Sequence, residues 1–159
     1  MDHASVKAKL ERMANELFDE SKLFESIGRD VDGDLVLEYT WYGTYKIYMV
    51  VSEIPQFEVK GKPWAELDLP TFRVEIYTRV FPRLKRGATL NKFVTELARS
   101  HVFSTAYLNS EEDGTDSLWI RTALVADTLD THELRNAAIQ LVADLHEVKE
   151  IVPPKIHAF

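Results

Sequence analysis

A chain of 159 residues is the size of one ordinary domain, able to bury roughly two thirds of the surface its unfolded form exposes, so residues 1–159 are expected to share one core. With 45% hydrophobic and 28% charged residues, six Gly and six Pro, the composition excludes a low-complexity or disordered chain. A formal net charge of -7 argues against a protein that coats nucleic acid or an anionic membrane with its whole surface.

The absence of cysteine removes disulfides, Cys-ligated zinc, iron–sulfur clusters and thiol catalysis together, and it fits a reducing cytoplasm. Asp2, Lys7, Lys9, Glu11, Arg12, Glu16, Asp19 and Glu20 break up any secretory apolar stretch, and the longest unbroken apolar run is Ile47 to Val51. The expectation is a soluble cytoplasmic protein without a membrane partner.

In chain order, Val6, Leu10, Met13, Ala14, Leu17 and Phe18 recur at helical spacing, with Ser5 as a candidate N-cap. Leu23, Phe24 and Ile27 extend this helix or form a further turn, and Gly28 is a suitable stop. Leu35 to Trp41 and Thr44 to Ser52 are rich in β-branched and aromatic residues and flank Tyr42-Gly43, the pattern of an antiparallel hairpin. Glu53 to Pro70 contains Pro55, Gly61, Pro63 and Pro70, which predicts a long connection with one short edge strand near Phe57-Glu58-Val59. Phe72 to Val80 alternates apolar and polar residues, a strand buried on one face that Pro82 should end. Thr89 opens a helix with the stripe Leu90, Phe93, Val94, Leu97 and His101. Thr105 to Asn109 and Leu118 to Val125 form a second hairpin across an acidic turn. A last helix starts near Asp130 or Thr131, carries Leu134, Ala137, Ala138, Leu141, Val142, Leu145 and Val148 on one side, and stops at Pro153-Pro154. The order α-β-β-β-α-β-β-α predicts an α+β fold: an antiparallel sheet of about five strands with three helices on one face. Neither a doubly wound sheet nor a Gly-rich phosphate loop is present.

The strings that suggest chemistry are incomplete. Asp30-Val31-Asp32-Gly33-Asp34 has the carboxylates of a calcium loop, but its Gly comes too early and Tyr39 stands where the closing bidentate Glu belongs. Short acidic residues around a Gly are also ordinary turn chemistry, and the turn reading is preferred here and at Glu111-Glu112-Asp113-Gly114. His132-Glu133-Leu134-Arg135-Asn136 lacks the second His of a zincin helix, and Glu133 suits a helix-capping role instead. His3, His101, His146 and His157 have no partner pattern, and no nucleophile elbow anchors a Ser-His-Asp triad. No catalytic residue, metal site or cofactor is expected.

Charge distribution is more informative. Residues 71–92 hold Arg73, Arg79, Arg83, Lys85, Arg86 and Lys92 against the single Glu75. If Phe72, Val74 and Ile76 face the helices, strand alternation puts Arg73, Tyr77 and Arg79 on the outer face. Tyr48, Trp119 and Arg121 join them if Ile47 and Ile120 point inward. Tyr, Trp and Arg are the residues of interface hot spots, so these six are the candidate partner-binding set. The ordinary alternative is a solvated face with amphipathic side chains lying flat.

The element order, with Asp32-Gly33-Asp34-Leu35-Val36-Leu37 entering the first hairpin, Leu90-Asn91-Lys92-Phe93 opening the middle helix, and the acidic Gly turn leading to Thr131-His132-Glu133-Leu134, resembles the YbjN group. That group is described as sensory transduction regulators with a type III secretion chaperone-like fold. The resemblance covers nearly the whole chain and implies a binding module without chemistry, because secretion chaperones are small, acidic, often dimeric proteins that hold an extended segment of a partner. The combined expectation is a non-enzymatic, chaperone-like or regulatory binder of a protein or peptide, with homodimer formation, and not a nucleic-acid binder. A dedicated chaperone for one secreted effector is one alternative. A small-molecule binder or enzyme with a pocket under residues 53–70, lidded by Trp64, is another.

Overall fold

The structure is a computed structural model that describes residues 2–100 and 104–157. Helix α1 spans His3–Ser21, and the Asp2 side chain, not Ser5, caps it by accepting the Ser5 N–H at 2.8 Å. It ends at Lys22, in the left-handed conformation (φ 56°). The main strands are β1 (Ser26–Arg29), β2 (Leu35–Thr40), β3 (Thr44–Glu53), β6 (Phe72–Leu84), β7 (Thr105–Ser110) and β8 (Asp116–Val125). Between β3 and β6, strands β4 (Glu58–Val59) and β5 (Lys62–Pro63) form a separate small hairpin. Helix α2 is Ala88–Leu97 and α3 is Thr131–Ile151. At the start of α3, Asp130 accepts from the Glu133 N–H while the Glu133 carboxylate accepts from the Asp130 N–H, a capping box that gives Glu133 its role.

Among the described residues the sheet has six strands in the order β1-β2-β3-β6-β8-β7, every neighbouring pair antiparallel. The α+β class is as expected, but there is one strand more than the sequence predicts. Residues 26–29 are strand, not a continuation of α1, because Ile27 and Gly28 pair with Leu37 and Val36 across the β1–β2 ladder. The β2–β3 turn needs left-handed backbone at Tyr42 (φ 49°) and at Gly43 (φ 127°), and at Gly43 only a residue without a Cβ is comfortable.

Side-chain alternation then sorts the core. Leu35, Leu37, Ile47, Met49, Val51, Val74, Ile76, Leu118 and Ile120 point to one side, where they are buried with Leu10, Leu17, Leu134, Leu141 and Leu145 of α1 and α3. Helix α2 adds Leu90, Phe93 and Leu97 to the same core, while the stripe position His101 lies outside the described residues. No helix covers the opposite side of the sheet among the described residues.

Pro82 does not end β6, which runs on to Leu84 through two register shifts against β8, between Arg79 and Phe81 and between Phe81 and Leu84. Pro82 is exposed within this bulged stretch, where the missing N–H is tolerated. The irregularity divides the sheet. The β3–β6 ladder stops at Tyr48–Tyr77, after which β3 continues with β2 down to Thr40–Thr44 and β6 continues with β8 to Leu84–Asp116. Beyond Tyr48 and Tyr77 the two central strands diverge and leave a fork.

One core position is mismatched. Thr78 is fully buried on the helix side of β6 and its hydroxyl has no hydrogen-bond partner. A buried unpaired hydroxyl costs about 1–3 kcal/mol. Thr78→Val keeps the shape and should raise stability by about 1 kcal/mol in urea melts. A lower midpoint would show that the hydroxyl is satisfied.

Candidate functional site

The six residues singled out by alternation share the uncovered face. Register places Tyr48 beside Tyr77 and Tyr77 beside Arg121, while Arg79 pairs with Trp119 and Trp119 with Tyr107 of β7. The rings touch in sequence across the sheet: Tyr48 stacks on Tyr77 with centroids 5.2 Å apart and planes 16° apart. Trp119 lies 5.9 Å from Tyr77 and 6.3 Å from Tyr48. Tyr107 stacks on Trp119 at 6.5 Å and 17°, and the Arg121 guanidinium stands 5.5 Å above the Tyr107 ring. Four rings on four adjacent strands thus form one continuous aromatic strip, each half-buried by its neighbours.

Polar contacts fix the strip. The Trp119 indole N–H donates to Ser117 Oγ at 2.9 Å, and the Ser117 hydroxyl donates to the Glu111 carboxylate at 2.5 Å. Ser117 is buried although it points to the outer face, because these side chains fold over it. At the other border Glu75 sits between Arg73 and Arg121, 3.4 Å from each, and Arg73 also donates to Ser52 Oγ at 3.1 Å. Burial, with a smaller contribution from Asp34, pushes the Tyr77 phenol up to about 12, and burial raises Tyr107 as well.

Tyr107, Ser117, Glu111 and Glu75 were not in the sequence-based set. Tyr107 was within reach, because the hairpin register puts it opposite Trp119, whereas the role of Ser117 depends on the Trp119 rotamer. Most of the basic run is engaged inside the chain. Arg86 donates to Asp116 Oδ1 at 2.7 Å and to the Thr115 carbonyl at 3.1 Å, Arg83 pairs with Asp113 at 3.3 Å, and Lys92 with Glu96 at 3.9 Å. Four of the six cations are therefore tied to carboxylates of the acidic β7–β8 turn, of α2 or of β6. Arg79 has no ion pair among the described residues.

The remaining candidates make contacts within the chain. Asp30 Oδ1 accepts the N–H groups of Asp32 at 3.0 Å and Asp34 at 2.9 Å, so the acidic string is an Asx turn entering β2. Its three carboxylates lie within 4.8 Å of one another, and burial followed by the Asp30 charge holds Asp34 above the usual carboxylate range. His146 bonds to the Tyr39 hydroxyl and stacks on Trp41 at 3.6 Å, bracing α3 against the first hairpin. Trp64, the suggested lid, donates its indole N–H to the Pro70 carbonyl at 2.8 Å and meets the edge of Phe57, which closes the 53–70 connection on itself.

No family model matches the chain, and no curated protein matches it. A crystal structure of an uncharacterized protein from Methanothermobacter thermautotrophicus is similar in fold, with a TM-score of 0.51 at 12% identity, over 89% of this chain and 94% of that one. The likeness extends over nearly all of both chains and concerns the fold alone. Among the described residues, no helix is long and apolar enough to cross a membrane.

Two outcomes follow from this geometry. Native Tyr77 holds its proton up to about 12, whereas an unfolded Tyr releases it near 10, so the contribution of Tyr77 is complete below pH 10 and is lost as pH rises toward 12. Tyr77→Phe should therefore flatten the alkaline fall in stability seen in pH-dependent urea melts; an unchanged slope would place the phenol in water. Calcium titration calorimetry should give no saturable heat, because Asp30 is engaged by the turn and the closing Glu is missing. A micromolar site abolished by Asp32→Ala would overturn the turn assignment.

Proposed function

We propose that the protein is a non-enzymatic binding module of the cytoplasm that holds a segment of a protein or peptide partner on the open face of its sheet, in a chaperone-like or regulatory role. The observation that carries this reading is the uncovered strip Tyr48-Tyr77-Trp119-Tyr107 with Arg79 and Arg121 beside it. Large rings with few rotatable bonds, next to guanidinium groups, are the side chains that dominate binding energy at protein interfaces. The rings are already packed against one another, so little further ordering accompanies binding. The type III secretion chaperone-like resemblance of the sequence agrees with a partner held on the surface, and the acidic composition agrees with it as well. A nucleic-acid role is disfavoured because Arg83, Arg86 and Lys92 are engaged within the chain and the net charge is -7.

Selection from a random peptide library displayed on phage tests the reading, with the Tyr77→Ala/Arg79→Ala double variant as the counter-target. Peptides enriched on the native protein should lose about 2 kcal/mol or more of affinity for the variant, the hot-spot scale. The variant itself should lose only about 1–2 kcal/mol of stability, because one ring contact and one exposed cation are removed. Enriched peptides that bind both proteins alike, or no enrichment, would reduce the strip to ordinary surface.

A further inference from the structure

The fork between β3 and β6 opens at one end of the aromatic strip, and it is not an empty defect. It forms a cleft of about 380 Å³. One wall is the departing end of β3 and its turn, with Thr44, Lys46 and Tyr48; the other is β6 with Arg79 and Pro82, next to Trp119. Lys149, from the last turns of α3, reaches the cleft between the strands, with its ammonium 5.0 Å from the Tyr45 ring and 4.4 Å from the Phe81 ring.

Three cations therefore converge on the cleft from three elements, and no carboxylate of a described residue lines it. None of Lys46, Arg79 and Lys149 has an ion pair among the described residues. Acidic groups on the same elements stand outside this lining. Glu38 is the cross-strand neighbour of Lys46, and Glu111, Glu112 and Asp113 line a second cleft that shares Arg79 and Pro82 with this one, where Asp113 is already paired with Arg83. In addition, the facing backbone edges of β3 from Thr44 to Ile47 and of β6 from Thr78 onward have no strand partner toward each other. Strand edges offer hydrogen bonds to an extended backbone, and the cations offer charge-assisted bonds to an anionic group.

We propose that this fork is the anchoring pocket for a carboxylate of an acidic, extended peptide segment, whose remaining side chains lie along the aromatic strip. The inference deepens the binding reading above and rests on it for the course of the segment, but the anion pocket itself is defined by Lys46, Arg79 and Lys149. Charge complementarity sets the choice of occupant: a basic segment would bring like charges onto three cations that have no ion pair among the described residues, whereas an acidic one would neutralise them. A side-chain carboxylate and a C-terminal carboxylate present the same chemistry to the fork, and the length of the segment beyond it distinguishes them.

The test uses the full chain, labelled with 15N for amide shifts, and defined probes. Citrate, which has carboxylates but no rings, should shift the amides of Thr44 to Lys46 and of Val80, and Lys46→Gln/Arg79→Gln should remove those shifts while the melt stays native-like. An alternating Glu/Tyr hexapeptide blocked at both ends should bind at least about tenfold more tightly than its Gln/Tyr counterpart, with the difference collapsing in the same variant. The same peptide with a free C-terminus reports whether a terminal carboxylate is preferred.

Citrate shifts scattered over other cations, or equal binding of the Glu and Gln peptides, would overturn the fork as an anion pocket and leave the aromatic face standing. Citrate shifts at the fork without any effect of Tyr77→Ala on peptide affinity would do the reverse, keeping the pocket and removing the face. Tighter binding of a Lys/Tyr hexapeptide would overturn the assigned charge of the segment.

Discussion

The architecture depends on a single geometric constraint acting on one strand: β6 has a side-chain period of two and, among the described residues, helices on only one of its sides. Phe72, Val74, Ile76, Thr78 and Val80 are buried toward α1 and α3, which forces Arg73, Glu75, Tyr77 and Arg79 to the opposite surface. Because β6 lies between β3 and β8, the same parity passes to both neighbours through the register, placing Tyr48 and Trp119 beside Tyr77 and Arg79. The aromatic strip is thus a direct geometric product of the core. A one-residue slip of either neighbour would put Tyr48 or Trp119 against the helices and Met49 or Ile120 in water, so packing of the core also protects the surface pattern.

The fork has its origin in the same strand. Strand β6 gives up its ladder with β3 after Tyr77 and keeps the one with β8, through bulges at Arg79 to Phe81 and again before Leu84. Bulges raise local twist and re-aim side chains, and here consecutive residues Val80 and Phe81 are both buried while Arg79 and Pro82 are exposed. The C-terminal segment secures the far end of the deviating strand, with the Lys85 N–H donating to the Ile156 carbonyl and Leu84 bridging to His157. Divergence of two central strands would normally expose core residues. The last turns of α3 prevent this by supplying Lys149, whose ammonium lies against the Tyr45 and Phe81 rings.

Much of this was legible because it follows from periodicity. The three helices, both long hairpins and the composition of the outer face follow from spacing alone, and the face residues follow from parity once β6 was recognised. What escaped depended on contacts between distant segments. Ser26-Ile27-Gly28-Arg29 has no strand pattern of its own and becomes a strand only by pairing with β2. Pro82 reads as a strand end because local sequence does not reveal that a bulge tolerates it. The basic run reads as a local excess of positive charge because its partners, Asp113 in the β7–β8 turn and Asp116 at the start of β8, lie some thirty residues away. Sequence reading placed the acidic turn and the basic run correctly and could not show that they neutralise each other.

That neutralisation shapes what the face can recognise. If Arg83 and Arg86 were free, the surface near the strip would attract any polyanion, and contact geometry would contribute little to selectivity. With both held by the β7–β8 turn, the cations left near the rings are locally placed, Arg121 over Tyr107 and Lys46, Arg79 and Lys149 at the fork. On the proposed reading, long-range attraction of acidic segments is then weak against a net charge of -7, and binding rests on short-range stacking and charge-assisted hydrogen bonds. The relay from Trp119 through Ser117 to Glu111 fits this requirement. It fixes the orientation of the central ring from the same acidic turn that holds the arginines, so one turn both limits the field of the face and sets its shape. On the binding reading proposed above, a surface arranged in this way selects its partner by fit and not by charge alone.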